Sequence, residues 1–195
     1  MDHRILPGEV AWYVTGRFYA SEGGAAFDAG YFVHLQGIDV PLFGGEPGEG
    51  TAYLTFLAEP FIKTPLTNGD LSLGLDPAGE FGVYLRRTPG ATFDRPHSFG
   101  EGIEVARFRR VSVVMGATVT AELPAASSAS ALSLNVFSAK LMHSREFELG
   151  GNRYDFARLM PQGVTQWGTA SVTATGTPPG IPFVGSAIAI GGEGR

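Results

Sequence analysis

The chain has no cysteine, which closes off a disulfide framework, a thiolate metal site and a cysteine nucleophile. Long apolar runs are missing too. No segment reaches the ~18 residues of a membrane helix, and the opening MDHRILPGEVAWYV lacks a basic stretch followed by an apolar one. The expectation is a cytoplasmic protein without a membrane span, although a secreted form without its leader reads the same way. Clustered positive charge is scarce: at a net charge of −5 and a pI near 5.3, Arg107, Arg109 and Arg110 form the one local exception. In a strand Arg107 and Arg109 share a face and Arg110 points the other way, a solvated edge rather than a groove, so no nucleic-acid partner is expected.

Several reactive patterns are also absent. The histidines are His3, His34, His97 and His143, far apart in sequence. None forms the His-x-His with a following carboxylate that would place metal ligands on one strand face, as in a cupin-like double-stranded barrel. Asp39, Glu46 and Glu49 share a loop but not the Asp/Asn spacing of a calcium site. No Gly-x-Ser-x-Gly elbow occurs, and Ser127-Ser128-Ala129-Ser130 reads as an exposed turn. GGEPGEG at 44–50 lacks the Lys-Ser/Thr ending and following helix of a phosphate cradle. Neither a metal nor a cofactor is expected.

What fills the chain is alternation. The apolar fraction is 44%, with Gly 28 and Pro 13 spread between strand-length runs. Val10 to Tyr19 sets Trp12, Val14 and Phe18 against Tyr13, Thr15, Arg17 and Tyr19, with Gly16 marking a bulge or a close approach. Tyr31 to Ile38 and Thr51 to Ala58 are further strands. Ile103 to Met115 reads as one long bent strand followed by a short one, and Ala131 to His143 alternates Leu132, Leu134, Val136 and Ser138 with Ser133, Asn135, Phe137 and Ala139. Two hairpins are predicted, Leu71–Leu75 with Phe81–Leu85 across DPAG, and Phe147–Leu149 with Tyr154–Phe156 across Gly150-Gly151-Asn152. Phe156 to Met160 suits a helical turn. Gln166 to Thr175 and Val184 to Ile190 complete about nine to eleven strands.

Many strands joined by short turns predict one all-β domain over residues 1–195: an antiparallel β-barrel, calycin-like or related, with a two-sheet β-sandwich as the alternative. The plan is similar in general architecture to lipocalin-like and allene-oxide-cyclase-like barrels. The lipocalin Gly-x-Trp is not met by GEVAW at Gly8 to Trp12, however, so no site residue carries over from either family. VSVVM and GSAIAI are apolar on both faces, which implies an apolar lumen or an outer face covered by a loop or another subunit.

Polar side chains set among apolar strands nominate a site. His34 is the candidate acid/base, with Tyr53 or Asn135 as donor to a substrate oxygen; Phe32, Gln36, Phe137 and Trp167 are candidate ligand-binding residues. The period of two sets Phe32, His34 and Gln36 on one face. The functional expectation is a barrel that binds an apolar small molecule, as a cofactor-independent isomerase, cyclase or lyase. The alternatives are a non-catalytic carrier, or an assembly protein and possible homo-oligomer whose apolar strands a neighbouring subunit covers.

Overall fold

The computed structural model describes residues 5–20, 26–58, 66–68, 71–75, 79–121, 130–171 and 173–191. Its strands are β1 Val10–Ala20, β2 Ala26–Leu35, β3 Leu54–Ala58, β4 Leu66–Asn68, β5 Leu71–Leu75, β6 Glu80–Leu85, β7 Ile103–Ala121, β8 Ser130–Ser144, β9 Phe147–Leu149, β10 Asn152–Tyr154, β11 Val164–Ala170 and β12 Ile181–Ala189. Among the described residues a single α-helical turn, α1, spans Phe156–Leu159. Among the described residues, no helix is long and apolar enough to cross a membrane.

Eight strands close an antiparallel barrel in the order β1-β2-β3-β6-β7-β8-β11-β12, with β12 returning to β1. Each barrel strand therefore pairs with the next one in the chain. This is an up-and-down barrel rather than a sandwich, and closure leaves the barrel itself without an unpaired edge. β4 and β5 pair with each other as an insertion, β5 lying along β7. β9 and β10 form a separate hairpin.

Period-two alternation sends one set of side chains into the lumen, and that set is aromatic. Trp12 makes edge contacts with Phe32 at 5.5 Å and Phe108 at 5.7 Å, while Phe81 stacks on Phe108 at 5.0 Å. Full burial of one such side chain contributes about 1.5–3 kcal/mol relative to exposure. Two sets of polar contacts cross this interior. Trp12 Nε1 donates to Gln166 Oε1 at 2.8 Å, and Arg110 Nη2 donates to both Asp28 oxygens at 2.8 Å. The Arg110 guanidinium lies over Phe137 at 4.8 Å and Phe81 at 5.3 Å. Arg107 and Arg109 point outward instead, to Glu104 and Glu80, as strand alternation requires.

Between Leu149 and Asn152 the β9–β10 turn uses Gly150 at φ 59° and Gly151 at φ 83°, the two successive positive φ values that suit a two-residue hairpin. The pairing stops at Tyr154, and Phe156 opens α1, where Asp155 accepts from Ala157 N at 2.9 Å as N-cap. Phe156 packs on Phe108 at 6.1 Å and on Phe147 at 5.9 Å, joining this appendage to the lumen aromatics. Tyr154 Oη donates to Asp39 Oδ1 at 2.6 Å. Burial and this bond to a carboxylate raise the Tyr154 pKa above that of a free phenol.

The other hairpin does not form. β5 pairs with β7 at 112–115 and β6 pairs with β7 at 103–109, both antiparallel. β5 and β6 thus lie end to end along one long neighbour. The two strands continue one line instead of reversing, because β7 extends far enough to pair with both; residues 76–78 of DPAG lie outside the described residues. The two strands expected from Ile103 to Leu123 are likewise one, Ile103–Ala121, whose register against β8 slips at three points.

The outer wall differs from arc to arc. Over β1–β3 the segment 86–102 folds back as a flap, in which Pro96–Gly100 forms a 3-10 helix. Beneath it Tyr19, Phe27, Ala29, Tyr31 and Leu57 pack with Ala91, Phe93 and Phe99. Thr55 Oγ1 donates to the Phe99 carbonyl at 2.6 Å, and Tyr19 Oη to the Phe93 carbonyl at 3.2 Å. Burial raises the pKa values of Tyr19 and Tyr31. Over β6–β8 the wall is charged. Glu104 accepts from Arg107, which holds its carboxyl below the ordinary glutamate range.

Candidate functional site

The lumen is full. Among its lining residues Trp12, Asp28, Phe32, Arg110, Phe137 and Gln166, the remaining void is about 10 Å³, room for no more than a water molecule. A groove of about 630 Å³ lies on the outer wall, across β2, β1, β12, β11 and β8.

Register builds this groove. Tyr13 of β1 lies opposite Ser186 of β12, and Ser186 lies opposite Trp167 of β11. Trp167 in turn faces Val136 of β8. One row along, Thr15, Val184 and Thr169 are aligned in the same way. Two aromatic ridges therefore flank a strip of small side chains, with Gly168 and Gly185 in its floor. A Cβ on Gly168 would fall 2.7 Å from the Val184 carbonyl oxygen and 3.2 Å from Asn135 Oδ1, so only glycine fits there. The Thr15 hydroxyl donates to the Phe183 carbonyl at 3.0 Å, and Ser138 bonds Thr165 at 2.9 Å. No residue lining the groove carries a charged side chain.

The expected site residues are distributed over three places. Asn135 and Trp167 line the groove. His34 sits at its border, its ring 5.8 Å from that of Tyr13, with Nε2 3.3 Å from Gln36 Oε1; both His34 and Gln36 are exposed. Tyr53 lies in a different cleft of about 870 Å³, among Phe43, Arg86, Arg145 and Glu148. Phe32 and Phe137 are buried in the lumen, on Trp12 and Phe81 respectively.

His34 and Phe32 part company for a local reason. Tyr13 pairs with His34 but Val14 pairs with Phe32, so Val33 is the extra residue of a β-bulge. A bulge reverses the alternation beyond it. Phe32 then points inward while Val33 and His34 face solvent, which corrects the expectation of one shared face. On β8 the mixed set, Phe137 and Ala139, faces the core, and Val136 of the more apolar set faces out.

Tyr13, Val33 and Val184 were not nominated from the sequence. The available signal was the doubly apolar run from Val184 to Ile190 together with the outward phase of Tyr13. Neither identifies a groove until β11 and β12 are placed beside β1. Among the described residues no group of three or more His, Asp or Glu side chains is placed to hold a metal ion. No family model matches this chain, and neither does any curated protein or any solved structure.

Proposed function

We propose that this protein is a non-catalytic binding barrel that works through its outer wall, the assembly reading among the expected functions. One observation carries the proposal: an uncharged, partly aromatic groove lies exposed on a barrel whose lumen is packed among the described residues. Small-molecule sites enclose most of their ligand. A groove on a convex wall encloses little, and suits an apolar surface laid against it. A bilayer is a poor fit, because a lipid-facing barrel presents an apolar band around its circumference, whereas this wall carries Glu80, Glu104, Arg107 and Arg109 on one arc. The isomerase, cyclase, lyase and carrier readings draw less support, since among the described residues no enclosed volume lies beside His34.

The test is titration with an apolar fluorescent dye of the anilinonaphthalene sulfonate type, at protein concentrations low enough to keep copies apart. Energy transfer from Trp167 to bound dye is the expected signal, and Val184→Asp, at a position 60% exposed, abolishes it. Dye binding unchanged by Val184→Asp would overturn the proposal.

A further inference from the structure

We infer that the partner seated on this groove is a second copy of the same chain, an inference that rests on the outer wall being the binding surface. The first ground is area. Tyr13, Val33, Val114, Val136, Trp167 and Val184 are between 36% and 60% exposed and together present roughly 500 Å² of side chain, at the upper end for the largest apolar patch of a monomer. With the hydroxyl and amide side chains between them, the face is within reach of the ~800 Å² that each partner gives a standard interface.

Shape is the second ground. Tyr13 and Trp167 stand on either side of Ser186, two strand spacings or roughly 10 Å apart. That gap admits one aromatic ring. A two-fold axis parallel to the strands, lying over the wall midway between Ser186 and Trp167, seats the Trp167 of each copy over the Ser186 of the other and beside its Tyr13, so one face supplies both the ridge and the slot, as an isologous interface requires. A partner of unrelated shape would not need both on the same strip.

Charge is the third ground. Each chain carries −5 overall, so most pairings of two copies bring like charges together. The groove lining carries none, which makes it a face where self-contact meets no repulsion. The flap shows the same chemistry satisfied within one chain, with Phe93 and Phe99 laid against the outward Tyr31 and Leu57.

The experiment is sedimentation velocity over a dilution series, with acrylamide quenching in parallel. The chain has two tryptophans; Trp12 is 1% and Trp167 44% exposed in the single copy. The expected result is a dimer in which both are shielded, with one becoming quenchable and red-shifted as dilution yields monomer. Val184→Asp is expected to weaken association at least about tenfold. Trp167→Ser, whose fold is checked by circular dichroism, should do the same. A monomer at every concentration, with one tryptophan always quenchable and dye still bound in a Val184-dependent way, overturns the self-association and leaves the outer-wall reading standing. A monomer that binds no dye overturns both. A dimer untouched by either substitution places the interface elsewhere and also overturns the inference.

Discussion

Two arcs of one barrel wall carry similar side chains and meet different fates. On β1–β3 the outward Tyr19, Phe27, Tyr31 and Leu57 lie beneath the flap, whose Phe99 is fully buried. A few residues away, outward Tyr13, Val33, Trp167 and Val184 have no cover among the described residues. The flap is also tied down by polar bonds: Thr55 and Tyr19 hold it to the wall, and Glu49 accepts from Thr92 Oγ1 and Phe93 N. The difference teaches that apolar area alone does not decide what is core. Whether a segment of the chain can reach the area, and satisfy its own backbone once there, decides it.

The largest effect is expected from undercutting both arcs at once. Asp28→Ala leaves Arg110 charged in the lumen without its carboxylate and should lower stability by about 3–5 kcal/mol, measured by urea denaturation. Asp28→Leu combined with Arg110→Met should recover most of that loss, since paired removal leaves no buried charge. The covered arc alone is tested by Phe99→Ala. Its expected cost is about 3 kcal/mol, the lower end for Phe to Ala because the flap can settle into the space.

Sharper still is Thr55→Val, which keeps the shape but removes the donor to the Phe99 carbonyl. About 1–3 kcal/mol should be lost, and amide exchange should rise within 86–102 and little elsewhere. Trp167→Ser on the bare arc should alter the stability of the dilute protein by no more than about 0.5 kcal/mol, as for surface positions in general. A loss comparable to that of Phe99→Ala would show that the chain covers both arcs. The charged arc gives the smallest effect. Because Arg107 lowers the Glu104 pKa, this pair contributes stability at neutral pH that is lost as the pH falls from the ordinary glutamate value of about 4.3 through the depressed one. Glu104→Gln should flatten that acid limb of the denaturation profile.

Much of this architecture is written locally. Alternation predicts the all-β barrel, the opposite faces of Trp12 and Tyr13, the division of Gln166 from Trp167, and the split between Arg107 or Arg109 and Arg110. Gly150-Gly151 specifies its hairpin because two consecutive positive φ angles are open to glycine without strain. DPAG misleads for the complementary reason: turn residues permit a reversal, but the length of β7 offered both flanking strands a pairing line without one. The candidate site was less legible. His34 was assigned to the face of Phe32 by a count that a single extra residue at Val33 reverses.

Taken alone, the sequence determined strand content, the period of each strand and the Gly150-Gly151 turn, since each depends on residues within a few positions of one another. Tertiary structure decided which face of each strand became lumen, which arc received the flap, and which polar groups met inside. Asp28 and Arg110 are 82 residues apart and Trp12 and Gln166 are 154 apart. The physical reason is that alternation states only that a strand has two faces. Which one is buried depends on the neighbours that closure supplies, and a groove spanning five strands exists only once the barrel has closed.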